Sequence, residues 1–198
     1  MQENNVITSM KDTPETQDLG CPLDMPEWYV IRVTYGRERK LSEVLKERGV
    51  TYFLPTKVVH YNRRSDGKLR KKLVSAIPNL IFLFSTRAHI QALKEEMEAR
   101  IPMRYLMNRA THEPMTIRKR QMEDFIRLAS EDDNLLYLDN PDVVLEKGQP
   151  VEVTYGPFQG IQGYVLRIRR DRKVVLVLNG LLAAAIKAEI KMDWVKKL

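Results

Sequence analysis

The chain is poor in the residues on which most enzyme chemistry depends. Its single cysteine, Cys21, excludes an internal disulfide framework and any multi-cysteine metal site, and points to a reduced, cytoplasmic protein. The three histidines, His60, His89 and His112, are scattered along the sequence with no His-Glu-x-x-His spacing and no paired carboxylate. There is no nucleophile elbow and no Gly-Lys-Ser/Thr phosphate loop. No constellation for catalysis remains, and neither a cofactor nor a metal is expected. Nor is a membrane expected as a partner. No stretch approaches the ~18 consecutive apolar residues of a spanning helix, and Met1–Met10 lacks a basic segment leading into an apolar block.

What the chain does have is segregated charge. The formal net charge is +7, from 33 Lys and Arg against 26 Asp and Glu. Residues 1–26 carry one basic and five acidic side chains, and residues 27–130 carry 22 basic against 11 acidic. Residues 131–145 have five acidic and no basic residues, and residues 146–198 have 10 basic against five acidic. Two basic bodies joined by an acidic connector suggest a polyanionic partner, because a positive field steers such partners in. The polar leader 1–26, with Pro14, Pro22 and Pro26, reads as mostly disordered. In the connector, Leu135, Leu136, Tyr137 and Leu138 are too apolar to be purely solvated.

Within 27–130 the pattern is α+β. Trp28–Thr34 alternates aromatic and β-branched residues as a strand does. Leu41, Val44 and Leu45 lie on one face of a helix over 37–48 that Gly49 stops. Tyr52–Tyr61 returns to strand character with a break at Pro55. Leu69–Ala76 and Leu80–Phe84 supply further strands around a turn at Ser65-Asp66-Gly67. Helices follow over 87–100 and 118–130, separated by a short strand at 104–108. The order predicts a mainly antiparallel sheet with helices packed on it. The hairpin from His60 to Lys72 holds six basic residues in thirteen, namely Arg63, Arg64, Lys68, Arg70, Lys71 and Lys72. They form a candidate phosphate contact, or else a soluble tip whose charges discourage edge pairing. The stretch Ile77–Phe84 would be apolar on both sheet faces, so both must be covered, by helices or by a partner protein.

Residues 146–198 show short strands at Val151–Val153, 164–170 and 174–178, a spacing that suggests a small barrel. Gly156, Gly160 and Gly163 between them permit backbone geometry rather than phosphate binding. Leu181–Ile190 has strong helix propensity where a barrel needs strands. Gly148-x-x-Val151-x-Val153 followed by Gly156-Pro157-Phe158-x-Gly160-x-x-Gly163 closely resembles the KOW motif. The first body resembles the domain that precedes KOW in NusG-family transcription elongation factors: Trp28-Tyr29, then Gly36 and Glu38 before a helix, Pro55, the basic hairpin, and Pro78 before the apolar strand. Where general members usually read Pro-Gly-Tyr, this chain has Pro78-Asn79-Leu80. That departure, with Thr34-Tyr35-Gly36-Arg37-Glu38 and the polar leader, is similar to the specialised RfaH and UpxY-like paralogues.

The resemblance implies an NGN domain at 27–130, an acidic linker at 131–145 and a KOW, SH3-like β-barrel at 146–198. It also implies a non-enzymatic, monomeric antitermination and elongation factor that grips the clamp helices of RNA polymerase and holds the clamp closed, a shift of populations. It puts Val30, Ile77, Leu80 and Phe82 in the apolar polymerase-binding depression, although an apolar strand residue is more often core. Arg87 would lie near the polymerase's other side. Arg37, Arg39 and Lys40 would face non-template DNA or nascent RNA, with Arg63, Arg64, Lys68 and Arg70 as further nucleic-acid contacts. The KOW domain would recruit the ribosomal protein NusE or the termination factor Rho. The alternatives are a general NusG factor and a KOW-type RNA-binding or ribosome-associated protein.

Overall fold

The structure, a computed structural model, describes residues 6–7, 25–34, 36–63, 67–108, 111–131, 135–138, 148–168, 171–178, 182–185 and 192–198. Arg64, the Ser65-Asp66 turn, Cys21 and most of the leader and linker lie outside the described residues. The chain forms two compact units, Met1–Lys119 and Arg120–Leu198.

The first unit is built on β2 (Glu27–Val33), whose alternating aromatic and β-branched residues leave Trp28 through Ile31 and Val33 buried. It pairs on one side with β6 (Leu80–Ser85), and β6 pairs in turn with β3 (Thr51–Leu54). On its other side lie β7 (Met103–Tyr105) and β8 (Thr116–Ile117). Every pairing is antiparallel. The leader adds a strand that its polar composition does not announce, β1 (Val6–Ile7), which pairs with Phe53 and Leu54. A two-residue strand is below what sequence periodicity can register, and the same is true of β8.

Two helices cover one face of this sheet. In α1 (Glu38–Glu47), Leu41 and Leu45 sit one turn apart and both are buried. Gly49 at φ +67° ends the helix, in a conformation that costs a side-chain-bearing residue ~1–2 kcal/mol. Helix α2 (Arg87–Met97) starts at Thr86, whose hydroxyl accepts from the His89 backbone N–H at 3.2 Å, and buries Ile90, Leu93 and Met97. These residues form one core with Tyr29, Ile31, Val33, Tyr52, Leu54, Ile81 and Leu83.

Pro55 splits the second expected strand as its missing N–H requires. The chain beyond it leaves the sheet as β4 (Thr56–Asn62), which pairs only with β5 (Leu69–Ser75) in a separate two-stranded ribbon. The Ala76 N–H donates to the Pro55 carbonyl at 2.8 Å and closes the ribbon's root.

Helix α3 (Lys119–Glu131) opens the second unit and buries Met122, Phe125, Leu128 and Ala129, an amphipathic stripe. The strands expected of a small barrel are present as a six-stranded antiparallel sheet. Its order is β14 (Val195–Lys197), β10 (Gln149–Val153), β11 (Gln162–Ile168), β12 (Asp171–Leu178), β13 (Leu182–Ala185), β9 (Leu136–Leu138). β9 comes from the apolar part of the acidic connector, and β13 is strand despite its alanines. Leu181 and residues 186–190, the rest of that helix-prone stretch, lie outside the described residues. Val151, Val153, Phe158, Ile161 and Val174–Val177 are buried. At Gly163 a Cβ would stand 2.6 Å from the Val175 carbonyl oxygen, so close strand approach demands glycine there. Among the described residues, no helix is long and apolar enough to cross a membrane.

Candidate functional site

Alternation along β2, β3 and β6 divides their side chains between two faces. Ile81 and Leu83 join the helix-covered core. Trp28, Val30, Phe53, Leu80, Phe82 and Phe84 point the other way, with Val30 directly opposite Phe82. Ring contacts bind this face together, Trp28 to Phe84 at 5.4 Å and Phe53 to Phe82 at 6.3 Å between centroids. The four apolar anchors expected for a partner are not presented to solvent. Val30 and Phe82 are 0% exposed, Ile77 7% and Leu80 9%. The Trp28 indole N–H, also on this face, is buried with no hydrogen-bond partner among the described residues, a deficit of ~1–3 kcal/mol.

At the edge of this face, β6 is joined to the start of α1 by an arrangement that the sequence spacing does not reveal. Asn79 has φ +63°, a left-handed conformation that asparagine tolerates far better than most residues. Its backbone N–H donates to the Glu38 carboxylate. Its carbonyl accepts from the Val33 N–H at 2.9 Å, and its side-chain oxygen accepts from the Gly36 N–H at 3.4 Å. Glu38 is 4% exposed and sits in the first helical turn, where the helix dipole favours an anion. The glycine of a Pro-Gly-Tyr sequence would supply the same backbone angle, while asparagine adds the bond to Gly36.

The three cations expected at the helix start differ in their surroundings. Arg37 donates from Nη1 to the Arg100 carbonyl at 2.8 Å, so its guanidinium is already engaged within the fold. Arg39 and Lys40 are exposed in the first turn of α1. Cations there oppose the helix dipole, so helix stability does not account for them.

The ribbon carries the second group of cations. Lys68 and Arg70 are exposed, as is Arg63, and the Arg63 N–H donates to the Lys68 carbonyl at 3.0 Å near the tip. Gly67, at φ +64°, completes the turn and donates to the Arg63 carbonyl at 2.8 Å. Arg64 belongs to the same tip by sequence but lies outside the described residues.

Arg87 stands apart from both groups. At the first turn of α2 it pairs with Glu113 at 3.3 Å, and its carbonyl accepts from the Tyr105 hydroxyl at 3.1 Å. It lines a cleft of about 570 Å³ between α2 and β7, where the Lys94 ammonium sits 4.6 Å above the Tyr105 ring. Among the described residues, no group of three or more His, Cys, Asp or Glu side chains could hold a metal ion.

A family model described as "Transcription termination factor nusG" matches residues 26–126, a span that contains β2, the joint at Asn79 and the ribbon. The chain belongs to the NusG family. NusG-family proteins are non-enzymatic transcription factors that bind RNA polymerase, and this member is accordingly a transcription elongation or antitermination factor with an α+β NusG N-terminal domain. Comparison with curated proteins finds no match.

The second unit of this NusG-family chain carries a feature that the sequence reading missed. Tyr155 is 63% exposed with its ring centroid 5.1 Å from that of Trp194, and Gly156 leaves space for the indole. The only sequence signal was the glycine itself.

Proposed function

We propose that this NusG-family protein is an operon-specific antitermination factor that binds the RNA polymerase clamp helices and suppresses pausing and termination, at operons for polysaccharide synthesis. The family match over 26–126 carries the reading. Its specialisation rests on Pro78-Asn79-Leu80 and on exposed cations at the start of α1, where helix stability does not call for them.

In this reading Val30, Ile77, Leu80 and Phe82 form the polymerase face, flanked by Arg87, and a buried apolar anchor contributes ~2 kcal/mol or more to such an interface. All four anchors are buried in the chain as it stands, so docking requires that face to be uncovered first. Its unpartnered Trp28 N–H lowers the cost of doing so. Arg39 and Lys40, with Arg37 beside them, face non-template DNA or nascent RNA, and Arg63, Arg64, Lys68 and Arg70 contact phosphates. Residues 146–198 are the KOW barrel, reaching NusE or Rho. The factor works as a cytoplasmic monomer.

Transcription through a terminator on a capsular-operon leader and on an unrelated leader tests this. Greater read-through on the first template supports the reading. Read-through equal on both, or no greater than without protein, overturns its operon specificity or its antitermination activity respectively. In parallel, retention on RNA polymerase after nuclease treatment should be lost in Leu80→Asp, with circular dichroism confirming that the variant is folded.

A further inference from the structure

One edge of the first unit's sheet is left to the leader to cover. On its inner side β3 pairs with β6, where Thr51, Tyr52 and Phe53 lie opposite Phe84, Leu83 and Phe82. On its outer side β1 pairs antiparallel with Leu54 and Phe53 alone. Thr51 and Tyr52 have no strand on that side among the described residues. The chain beyond Pro55 adds none there, because β4 pairs only with β5. A sheet edge is usually blunted by a charged side chain, a proline or a bulge. β7, at the opposite end of the sheet, has exposed Arg104. Thr51–Leu54 holds neither charge nor proline, and Tyr52, Phe53 and Leu54 are buried. Backbone N–H and C=O groups along such a fixed strand are a template for another strand.

The segment seated there shows the chemistry that the edge accepts. Residues 4–10, Asn-Asn-Val-Ile-Thr-Ser-Met, are the longest run of the leader free of both charge and proline, and β1 falls within it. Lys11, Asp12, Pro14 and Glu15 follow. Backbone pairing needs an N–H at each contact and makes little demand on side-chain identity. Protection alone calls for a cap along the whole edge, whereas β1 pairs with two of the four residues of β3. So short a pairing relies on the covalent link through residues 8–24, which holds the segment at an effective concentration on the order of mM. A segment pairing along all of Thr51–Leu54 makes more backbone bonds and displaces it.

We propose that the outer edge of β3 is a strand-addition site for an extended segment of a partner protein, uncharged and free of proline, and that the leader strand is its displaceable resident. This edge includes neither the proposed polymerase anchors nor the basic ribbon.

The test uses the full chain with labelled peptides, followed by fluorescence anisotropy. Val6→Pro/Ile7→Pro removes both backbone donors of β1 and vacates the edge. A peptide of residues 4–10 should bind this variant roughly tenfold or more tightly than the parent, in which the tethered leader competes. An unrelated uncharged peptide, Ser-Thr-Val-Thr-Val-Thr-Ser, should bind the variant similarly, and the leader peptide carrying the same two prolines should not bind. Hydrogen–deuterium exchange over 51–54 should quicken in the variant and slow again with either binding peptide. Equal binding to parent and variant, binding by the leader's own sequence alone, or exchange unaffected by the substitutions would overturn the proposal. So would a parent that sediments as a dimer beside a monomeric variant, which assigns the edge to the leader of a second copy. The parent also gives a reading that needs no variant. Excess of the Thr-Val peptide should slow exchange over Thr51 and Tyr52, which β1 leaves open, and no change there equally overturns the site.

Discussion

Two neighbouring segments of the first unit, β6 and the β4–β5 ribbon, meet opposite fates. β6 reads Leu-Ile-Phe-Leu-Phe and is apolar on both faces, and only Phe84 among those five is even partly exposed. The ribbon begins just past Pro55, on the strand that precedes it in the sheet, yet most of its residues are exposed on both sides. One proline separates these outcomes, because a strand without that N–H cannot extend the ladder. The function proposed above assigns interaction to both segments. Their physical states differ: the ribbon is exposed to solvent, whereas the apolar face is occupied by packing. Surface charge is therefore a better guide to an available site here than an apolar strand.

The contrast can be broken most directly at its buried end. Phe82→Ala should cost ~3–5 kcal/mol of stability in a denaturant titration, against no more than ~0.5 kcal/mol for Tyr61→Ala on the ribbon. Equal costs would mean that β6 is not held by its packing. Gly163→Ala puts a methyl against the Val175 backbone and should destabilise the second unit by ~1–3 kcal/mol, visible as earlier melting while the first unit is unchanged. Glu38→Ala strips the acceptor from the Asn79 N–H at a cost of ~1–3 kcal/mol, and Glu38→Gln should recover most of it because an amide oxygen can still accept.

The smallest effect concerns Asp124 on α3. Burial raises its pKa above the usual carboxylate range, with Arg127 and Arg120 opposing the shift. A raised folded pKa means that the fold prefers the protonated form. Stability from this group is then fully present below the unfolded pKa and lost as pH rises through the folded value. Asp124→Asn should accordingly be more stable than the parent at neutral pH, with the advantage vanishing in acid, as followed by melting temperature against pH.

Much of this fold is legible in the sequence because its signals are periodic. Leu41 with Leu45, and Ile90, Leu93 and Met97, mark helix faces that the structure buries. Pro55 and Gly49 mark breaks, and each acts through its backbone chemistry. Where the sequence misleads, a tertiary contact outweighs a local preference. Ala183–Ala185 favour helix yet pair with β12 on one side and β9 on the other, as backbone pairing within the sheet overrides propensity. β1 and β8 are too short to carry a period. At the candidate surfaces, composition identified the cations but not their geometry. Nothing in the spacing of Arg37, Arg39 and Lys40 reveals that the first is tied to the Arg100 carbonyl while the other two are exposed. Nor could alternation alone say whether Phe82 is anchor or core, since either role demands the same residue.

Asn79 engages β2, the turn after it and α1 with three different groups of one residue, directly before β6 begins. Strand and helix are thereby coupled in series, like two arms on one pivot. The strand that carries Leu80 and the helix start that carries Arg39 are therefore anchored through hydrogen bonds of one residue.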